Sequence, residues 1–588
     1  MLNTGYILTI YHVILGIAAL AITGFLFFIN RFGLDLSDES FYAIGYAFKT
    51  EPVVASTQFH LLYKKTFGFL NLTLVQIRDF RLIAHVISSL LLTKGIVDFL
   101  KIPKEPFHQR ISVGLFIIIG AYVSYDFGPL TFSYNTISAV VLSSIAGIWL
   151  TLASKSHWNI NSGIMAIALG FLLGIAFYNK FTNAVILVLV LPAGDIVNQY
   201  ISVQKINWQL ILKQWLSYLI GFISCVLWFT NYQLGIIGSL KNFYTNISGR
   251  SGDSHSFEKL IDNYIDNLEF LNENTWSFYL PLIIIILIAR ILSKWVNKNT
   301  LDKALAVITF SVCLYFVIEN SSYIGGTYRK YSIFNIYYIV YISTLVYWIA
   351  FSKISSKHVA FMLLFFAFPF IGAVGTNNGF TAQFLFYMPF VFAAIHLFLL
   401  TGNLILNATI KCGLGILVLF QLYYGTVEFN YRQAPIEFDK MENHELSPFL
   451  SGLKTHKEML TLKSDLAFLK NYELSNLFLF STEGGISLLT ELEPVPFGWL
   501  QPGKESNACG VILENDFPEA YKYAFIIPET AEIGPELADC LRKKGIDFYA
   551  DFELKRSIAY FNNAYKKEQI LSVYLHKKSR SLEAGFIN

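Results

Sequence analysis

The chain of 588 residues has few charged side chains: Asp, Glu, Lys and Arg make up 14% of it, against about 25% in soluble domains. Hydrophobic residues make up 54% and aromatic residues 16%. This composition predicts a membrane protein rather than a soluble one. The formal net charge is only +3 and the sequence contains no run of Lys or Arg, so we expect no nucleic-acid partner.

Cysteine is also scarce, and its spacing argues against the common metal and redox motifs. The five cysteines form no C-x-x-C pair. Cys509 and Cys540 lie in the polar tail, where they could form a disulfide if the tail is extracytoplasmic, or stay free and buried. The sequence lacks a G-x-x-x-x-G-K-[ST] loop and a dinucleotide fingerprint. We expect no organic cofactor and leave open a divalent cation, for which the candidate ligands are Asp38, Glu39 and Asp126.

Long hydrophobic runs, in contrast, recur along most of the chain. A bilayer core of about 30 Å needs about 20 apolar residues per helix, and this rule gives about thirteen candidate spans. The first run lacks a signal-peptide cleavage pattern and is predicted to be an uncleaved anchor. The spans are predicted at 5–29, 82–100, 111–125, 135–152, 164–178, 183–194, 206–229, 279–292, 304–318, 333–351, 359–372, 384–400 and 414–424.

The positions of Lys and Arg predict the orientation of these spans. Basic residues concentrate in every second short loop, as in KIPKEPFHQR at 101–110 and RILSKWVNK at 290–298, and such loops stay in the cytoplasm. We therefore expect an integral plasma (inner) membrane protein with a cytoplasmic N-terminus. The extracytoplasmic (periplasmic) face then carries a first loop of about 30–81, a second long loop of about 231–276, and the tail.

The tail differs from the rest of the chain, because strand-like runs alternate in it with a helical pattern. NLFLFST, CGVILE, YAFIIPE and LSVYLHKK are predicted strands, and GPELADCLRKKG is a predicted helix that ends at Gly545. We expect a polytopic α-helical membrane domain over 1–429 and a small extracytoplasmic α/β domain over 430–588.

Three carboxylates follow the first span in the stretch GLDLSDESFYAIGY, residues 33–46. If this stretch is helical, Ser37 is a suitable N-cap, and Asp38 and Glu39 occupy the first turn, where the helix dipole favours negative charge. This capping role explains the acid pair completely, and Asp35 then belongs to the loop. The alternative is a site that uses a carboxylate as a base or as a metal ligand.

Residues 38–43, DESFYA, resemble the D-E-x-x-Y-A signature of the GT-C glycosyltransferases, which carry it in the first outer loop. The span number, the long first loop and the outer C-terminal domain are similar to the protein O-mannosyltransferase and aminoarabinose-transferase branch. The resemblance implies transfer of a sugar from a polyprenyl-phosphate donor to an acceptor hydroxyl on the extracytoplasmic face. It further implies that Asp38 is the general base and Glu39 its partner, since the attacking hydroxyl must lose a proton.

A lipid-phosphate leaving group needs cationic partners, so basic residues on the expected outer face are the next candidates. Lys180, Arg329 and Lys330 depart from the positive-inside trend, and Arg78 and Arg81 lie where the first loop returns to the membrane. All five are candidate ligands of the donor phosphate. Snorkelling to lipid headgroups, or anchoring an interfacial helix, explains the same positions without a ligand.

Polar residues of the later outer loops are candidates for contacts with the sugar or the acceptor. Amides and hydroxyls suit sugar hydroxyl groups, while a helix-end acid, a helix start or an Asn-Gly turn needs no ligand to explain it. The candidates are Asp126, Tyr134, Asn135 and Asn377.

The hypothesis from sequence is thus a GT-C membrane glycosyltransferase, a hexosyl- or pentosyltransferase of cell-envelope glycan biosynthesis. Its expected partners are a polyprenyl-phosphate sugar, membrane lipids, and a glycan, lipid or protein acceptor. The main rival is a polytopic transporter or lipid flippase, which would place ionisable residues near the bilayer midplane. A catalytically inactive membrane scaffold is the third interpretation, because the acid pair is also a good helix cap.

Overall fold

The apolar runs form helices, because a backbone in lipid must satisfy its hydrogen bonds within its own segment. The computed structural model describes residues 4–48, 58–101, 107–126, 128–155, 157–203, 205–230, 237–238, 240–241, 257–319, 327–352, 367–374, 383–428, 430–496, 500, 505–517, 519–529, 531–563 and 566–579. Up to residue 428 the helices are α1 (Thr4–Ile29), α2 (Asp38–Ala47), α3 (Phe59–Phe67), α4 (Leu74–Leu100), α5 (Phe107–Tyr122), α6 (Tyr134–Ala153), α7 (Ile160–Asn179), α8 (Phe181–Val203), α9 (Trp208–Thr230), α10 (Phe257–Leu292), α11 (Lys298–Glu319), α12 (Thr327–Phe351), α13 (Met388–Phe398) and α14 (Leu404–Tyr423).

Within the described residues, nine of these helices are long and apolar enough to cross a membrane. They are α1, α4, α6 to α11 and α14, and three shorter apolar helices, largely α5, α12 and α13, accompany them. The chain is therefore a polytopic helical membrane protein, as predicted. Most of the expected span at 359–372 lies outside the described residues, so the number thirteen stays a prediction.

Three boundaries differ from those expected. Helix α4 starts within the expected first loop, so Arg78 and Arg81 lie inside a helix. Helix α10 starts at Phe257, inside the expected second loop. Helix α14 starts at Leu404, before the expected span at 414–424, so that Lys411 is buried within it. Polar side chains near a helix end lower the local hydropathy, which is why a length-and-hydropathy rule cuts these helices short.

Glycines allow two pairs of membrane helices to pack closely. A Cβ on Gly95 of α4 would lie 2.3 Å from the carbonyl oxygen of Gly147 in α6. A Cβ on Gly170 of α7 would lie 2.0 Å from the carbonyl oxygen of Tyr218 in α9. Small residues let helix backbones approach in lipid. These contacts help to fix α4, α6 and α7, whose ends carry most of the candidate site.

The C-terminal domain contains a mixed five-stranded sheet in the order β4-β3-β5-β7-β6. Strands β3, β4 and β5 are parallel, and β7 runs antiparallel to both β5 and β6. The elements are β1 (Glu442–Asn443), β2 (Lys454–Thr455), α15 (Lys457–Leu466), β3 (Asn476–Leu479), α16 (Gly485–Thr490), β4 (Glu493–Pro494), α17 (Glu505–Glu514), β5 (Tyr523–Pro528), α18 (Pro535–Lys543), α19 (Phe548–Asp551), β6 (Phe552–Asn562) and β7 (Lys567–His576).

Three of the four predicted strands are present, as β3, β5 and β7, and so is the predicted helix, as α18. The prediction for CGVILE was wrong, because this run is the second half of helix α17. A short apolar run does not by itself distinguish a strand from a buried helix segment. A disulfide joins Cys509 of α17 to Cys540 of α18, with their Cα atoms 5.6 Å apart, which settles the alternative left open by the sequence.

The C-terminal domain docks on the segment between α1 and α2 through backbone hydrogen bonds. The Gly33 amide donates to the Lys454 carbonyl over 2.9 Å, and the Lys454 amide donates to the Arg31 carbonyl over 2.7 Å. The Gly485 amide, at the start of α16, donates to the Leu36 carbonyl over 2.8 Å. The domain is thus attached directly to the chain that carries the acid cluster.

This docking predicts that Gly485→Val weakens the structure. A Cβ at Gly485 would lie 2.5 Å from Leu36 Cδ2 and 2.7 Å from Ser40 Oγ, so a larger side chain forces α16 away from α2. We expect a loss of about 1–3 kcal/mol, measured as a lower melting temperature in detergent. Gly510→Ala is the control, since a Cβ there meets nothing within 4 Å. Equal melting of the two variants would contradict the docking.

Candidate active site

The N-terminus of α2 is capped by Asp35, not by the predicted Ser37. The Ser37 side chain makes no capping hydrogen bond. Instead, the Asp35 carboxylate accepts from the Ser37 amide at 2.8 Å, from the Ser37 hydroxyl at 2.5 Å and from the Glu39 amide at 3.0 Å. Burial and the nearby charge of Asp38 outweigh these donors and raise the pKa of Asp35 to about 7. Capping therefore accounts for Asp35 and does not require Asp38.

Glu39 forms a fully buried ion pair with Arg78. Arg78 Nε donates to one carboxylate oxygen over 2.9 Å, and a terminal nitrogen donates to the other over 2.5 Å. The three remaining N–H groups of Arg78 donate to backbone carbonyls, those of Asn30, Phe32 and Gly33. A guanidinium has five N–H donors, so none is left for a phosphate. In this structure Arg78 and Glu39 fix the first loop, and the roles predicted for them as phosphate ligand and catalytic partner stay predictions.

Asp38 lies at the junction of α2 with the chain that follows α14. One carboxylate oxygen accepts from Arg432 over 2.8 Å, and the other accepts from the Tyr431 hydroxyl over 2.5 Å. The Asp38 side chain keeps 20% of its surface exposed and the Arg432 side chain 38%. Each carboxylate oxygen has a second lone pair. Asp38 is thus oriented by two neighbours and still open to a further hydrogen-bond donor.

Tyr42 connects Asp38 with the start of α6. It follows Asp38 by one helical turn, so both side chains lie on one face of α2. The Tyr42 ring lies 6.4 Å from the Tyr134 ring. Burial, followed by the electrostatic influence of Tyr134 and Asp38, raises the pKa of Tyr42 well above its usual value. The Tyr42 hydroxyl therefore stays protonated at neutral pH.

The candidates Lys180, Tyr134 and Asn135 come together where α6, α7 and α8 meet. Asn179, the last residue of α7, donates from its amide to the Tyr134 carbonyl over 2.8 Å. Lys180 is the single residue between α7 and α8, and its ammonium donates to the Gly372 carbonyl over 2.6 Å. Burial lowers the pKa of Lys180 to about 7. Asn135 is buried beside Tyr134 at the start of α6.

Arg81 and Asp126 hold the loop between α5 and α6. The Arg81 guanidinium donates to the carbonyls of Pro129 and Ser124 over 2.5 and 3.1 Å and lies 4.0 Å from the centre of the Tyr125 ring. Asp126 accepts from the Gln421 amide over 3.0 Å. Both residues are buried. Their contacts hold the loop in place, which a structural role explains without a ligand.

Other candidates are only partly placed. Arg329 and Lys330 belong to the first turn of α12, but their side chains are not among those described. Asn377 lies outside the described residues. The three candidate metal ligands do not share a site, because Glu39 is bound by Arg78 and Asp126 by Gln421, and in the described part of the chain no group of three His, Cys, Asp or Glu residues could hold a metal ion.

An apolar groove of about 410 Å³ opens between α11, α12 and α14. Phe310, Leu314 and Phe420 line it and are about half exposed. Its polar end contains Gln421, which binds Asp126 and accepts from Tyr337 over 2.5 Å. Six residues separate the last residue of the groove, Tyr424, from Tyr431. The groove therefore ends close, along the chain, to the residues that bind Asp38.

Sequence reasoning missed Tyr431, Arg432, Asn179 and Asn183. A basic residue directly after the last span, in EFNYRQAP, was the available signal for Arg432, since it lies on the face expected to lack cations. No sequence pattern pairs a residue near 431 with one near 38, because side-chain contacts over such separations depend on the tertiary fold.

No family model matches the chain, and neither a curated protein nor a solved structure matches it. The fold and the site define the class as a polytopic helical membrane protein with a carboxylate site at the junction of its helices and its C-terminal domain.

The Arg78–Glu39 pair predicts a strong stability effect. Arg78→Met leaves Glu39 buried without its cation, and we expect a loss of about 3–5 kcal/mol, seen in unfolding followed in detergent. Adding Glu39→Leu should recover part of this loss, because the unpaired charge is gone. Arg556→Met is the matched control: its pair with Asp465 is exposed and worth less than about 1 kcal/mol. Equal destabilisation by both single variants would contradict the assignment.

Proposed function

We propose that the protein is a membrane glycosyltransferase of the GT-C kind. It transfers a sugar from a polyprenyl-phosphate donor to a hydroxyl of a glycan, lipid or protein acceptor. The acceptor oxygen attacks the anomeric carbon, its proton passes to Asp38, and the bond from that carbon to the phosphate oxygen breaks. The polyprenyl phosphate leaves with the bonding electrons, so the reaction needs no further reactant.

The observation that carries this proposal is the division of roles among the three acids. Asp35 is used as the cap of α2, and Glu39 is neutralised by Arg78. Asp38 is the member of the cluster that keeps an exposed edge, between two side chains that orient it. A general base has to be within hydrogen-bond reach of the proton that it removes, and Asp38 meets this requirement better than its neighbours do.

Two cations suit the phosphate of the donor. Lys180 is held at the helix junction beside Tyr134 and Asn179, and an anion there would favour its charged form. Arg432 is partly exposed beside Asp38, and a guanidinium binds phosphate well through paired N–H groups. Arg329 and Lys330 remain proposed ligands from the sequence alone.

The groove between α11, α12 and α14 suits the polyprenyl chain. Apolar side chains line the groove, and Phe310 and Phe420 are about half exposed along it. One end of the groove contains Gln421, which is hydrogen-bonded to Asp126. A carrier lipid could enter it from the bilayer without leaving the apolar phase.

The disulfide supports an extracytoplasmic position for the C-terminal domain. Disulfides persist in oxidising compartments and are rare in the cytosol, and Cys509 and Cys540 are joined. The site lies where this domain docks, so the disulfide also supports our proposal that Asp38 lies on the extracytoplasmic face of the plasma membrane and the N-terminus of the chain in the cytoplasm.

Sugar transfer in membranes, supplied with a panel of radiolabelled polyprenyl-phosphate sugars, tests Asp38. Asp38→Asn keeps the size of the side chain and removes the base, so transfer should fall about 100-fold or more. Asp98→Asn is the control, because Asp98 forms an i,i+4 pair with the exposed Lys94 on α4. Equal transfer by Asp38→Asn and the wild type would exclude Asp38 as the base.

Gly413→Phe tests the groove. A Cβ at Gly413 meets nothing within 4 Å, so the ring would fill groove volume without displacing the helices. Because the carrier passes from one apolar phase to another, the ring weakens binding of a long carrier through lost van der Waals packing in the groove. We expect KM to rise for donors with long polyprenyl chains and to stay unchanged for donors with two isoprene units. Gly16→Phe, at an equally open position on α1, is the control and should leave KM unchanged for long and short donors. An equal rise in the KM for long donors in both variants would contradict the groove as the site of the polyprenyl chain.

A polytopic transporter or lipid flippase is the second candidate, and one observation favours it. Lys411 of α14 lies 2.6 Å from His396 of α13, and both are buried inside apolar helices. Ionisable residues in such positions often mark ion or substrate pathways. Absence of transfer by the wild type across the donor panel would favour this candidate or an inactive scaffold.

A further inference from the structure

Three buried asparagine oxygens lack a hydrogen-bond partner where α6, α7 and α8 meet. They are Oδ1 of Asn135, of Asn179 and of Asn183. All three residues are buried, and a buried acceptor without a donor is destabilising. Other buried polar atoms of the described residues also lack a protein partner, but these three lie together. A cluster of acceptors calls for a ligand or ordered water that supplies donors.

The surrounding hydrogen bonds orient two of these amides, those of Asn179 and Asn183. Next to them, the Gly372 carbonyl accepts from the Tyr387 hydroxyl over 2.9 Å and from the Lys180 ammonium over 2.6 Å. The Ser138 oxygen accepts from the amide nitrogens of Asn179 and Asn183, at 2.9 and 3.1 Å.

The same logic applies to the backbone contact of Asn179. Its amide nitrogen also donates to the Tyr134 carbonyl over 2.8 Å, and a carbonyl cannot donate in return. Exchanging the oxygen and the nitrogen of Asn179 would therefore break the hydrogen bond to the Tyr134 carbonyl. The amide oxygen of Asn179 consequently faces away from Ser138. The amide nitrogen of Asn183 also donates to Ser138, so its oxygen faces away as well in this structure.

The members of this cluster are close neighbours. Asn179 and Asn183 both bind Ser138, and Asn135 precedes Ser138 by three residues on α6, which places the two side chains on one helix face. Lys180 follows Asn179 directly, and its ammonium donates to the Gly372 carbonyl. We call Asn135, Ser138, Asn179, Lys180 and Asn183 the amide pocket.

We propose that the amide pocket binds the glycosyl group of the donor, and that this group is a neutral, hydroxyl-rich sugar. This inference rests on the proposed function and extends it to the class of sugar. Each ring hydroxyl supplies one donor, and neighbouring hydroxyls can reach three clustered acceptors at once. Lys180 then lies beside the sugar, where the phosphate oxygens of the donor can reach it.

The charge of the pocket argues against other sugars. An amino sugar carries an ammonium group, which would lie beside Lys180, and none of the groups hydrogen-bonded to the amides of Asn179 and Asn183 is a carboxylate. A uronic acid would direct its carboxylate oxygens at the amide oxygens, which accept and do not donate. A neutral hexose or pentose avoids both conflicts.

Binding in detergent tests the pocket separately from catalysis. The probes are undecaprenyl phosphate alone and undecaprenyl phosphate carrying glucose, galactose, mannose, arabinose or 4-amino-4-deoxyarabinose. The sugar increment is the rise in melting temperature with a sugar-bearing lipid beyond that with the bare carrier. We expect a sugar increment for at least one neutral sugar and a smaller one for the amino sugar.

Asn135→Leu and Asn183→Leu remove one acceptor each. Both should abolish most of the sugar increment and weaken sugar-dependent affinity about three- to tenfold, as expected for a lost neutral hydrogen bond, while the bare carrier binds as before. Asn135→Asp adds a carboxylate beside Lys180 and should improve binding of the amino sugar relative to neutral sugars. Asn198→Leu is the matched control, an asparagine on the same helix α8 whose amide donates to the Ala153 carbonyl.

The outcomes separate this inference from the proposed function. If transfer occurs but both leucine variants keep the wild-type sugar increment, the amide pocket is not the sugar site, while the glycosyltransferase stands. If Asn135→Leu and Asn183→Leu lose the increment while Asp38→Asn transfers normally, the pocket stands and the assigned base fails. If no neutral sugar gives an increment with the wild type, ordered water is the occupant of the pocket and the inference is overturned.

Discussion

The Arg78 guanidinium is the contact on which the arrangement of the site depends. It reaches from α4 to the carbonyls at the end of α1 and to the Glu39 carboxylate on α2, and it uses all five of its N–H groups. Burying an ion pair has a large desolvation cost. Here that cost is offset by complete hydrogen bonding in a planar geometry that lysine could not reproduce. The first turn of α2 therefore has one position relative to the membrane helices.

The position of α2 determines how its acids differ. Asp35 and Glu39 are buried: Asp35 accepts hydrogen bonds as the cap of α2, and Glu39 forms an ion pair with Arg78. Asp38, between them in sequence, lies on another side of the helix and meets Tyr431 and Arg432. Docking of α16 on Leu36 holds the same segment from the opposite side. The three carboxylates thus differ because their side chains point to different surroundings. Asp35 caps the helix, Glu39 pairs with Arg78, and Asp38 stays partly exposed.

Hydropathy and spacing predicted the elements well where the physical signal is strong. Membrane helices such as α1 and α9 follow from apolar length, and β5 follows from the run YAFIIP. The prediction failed for CGVILE, whose five apolar or small residues before Glu514 fit a strand and a buried helix equally well. In the structure it belongs to α17, with Cys509 joined to Cys540 and Ile512 in the core of the C-terminal domain. The contacts of Arg78 could not be predicted for a different reason, because charge indicates a cation but not which anion or carbonyl will bind it.

The sequence by itself determined the membrane class, most of the helices and the place of the acid cluster directly after the first span. These follow from local properties, since apolar length, periodicity and capping act over a few residues. Only the tertiary structure decided which carboxylate stays accessible, which cations are consumed and which asparagines share a pocket. Those outcomes depend on side-chain directions and on contacts between positions as distant as Asp38 and Arg432, and buried polar groups take whichever partner the packing of the whole fold brings within reach.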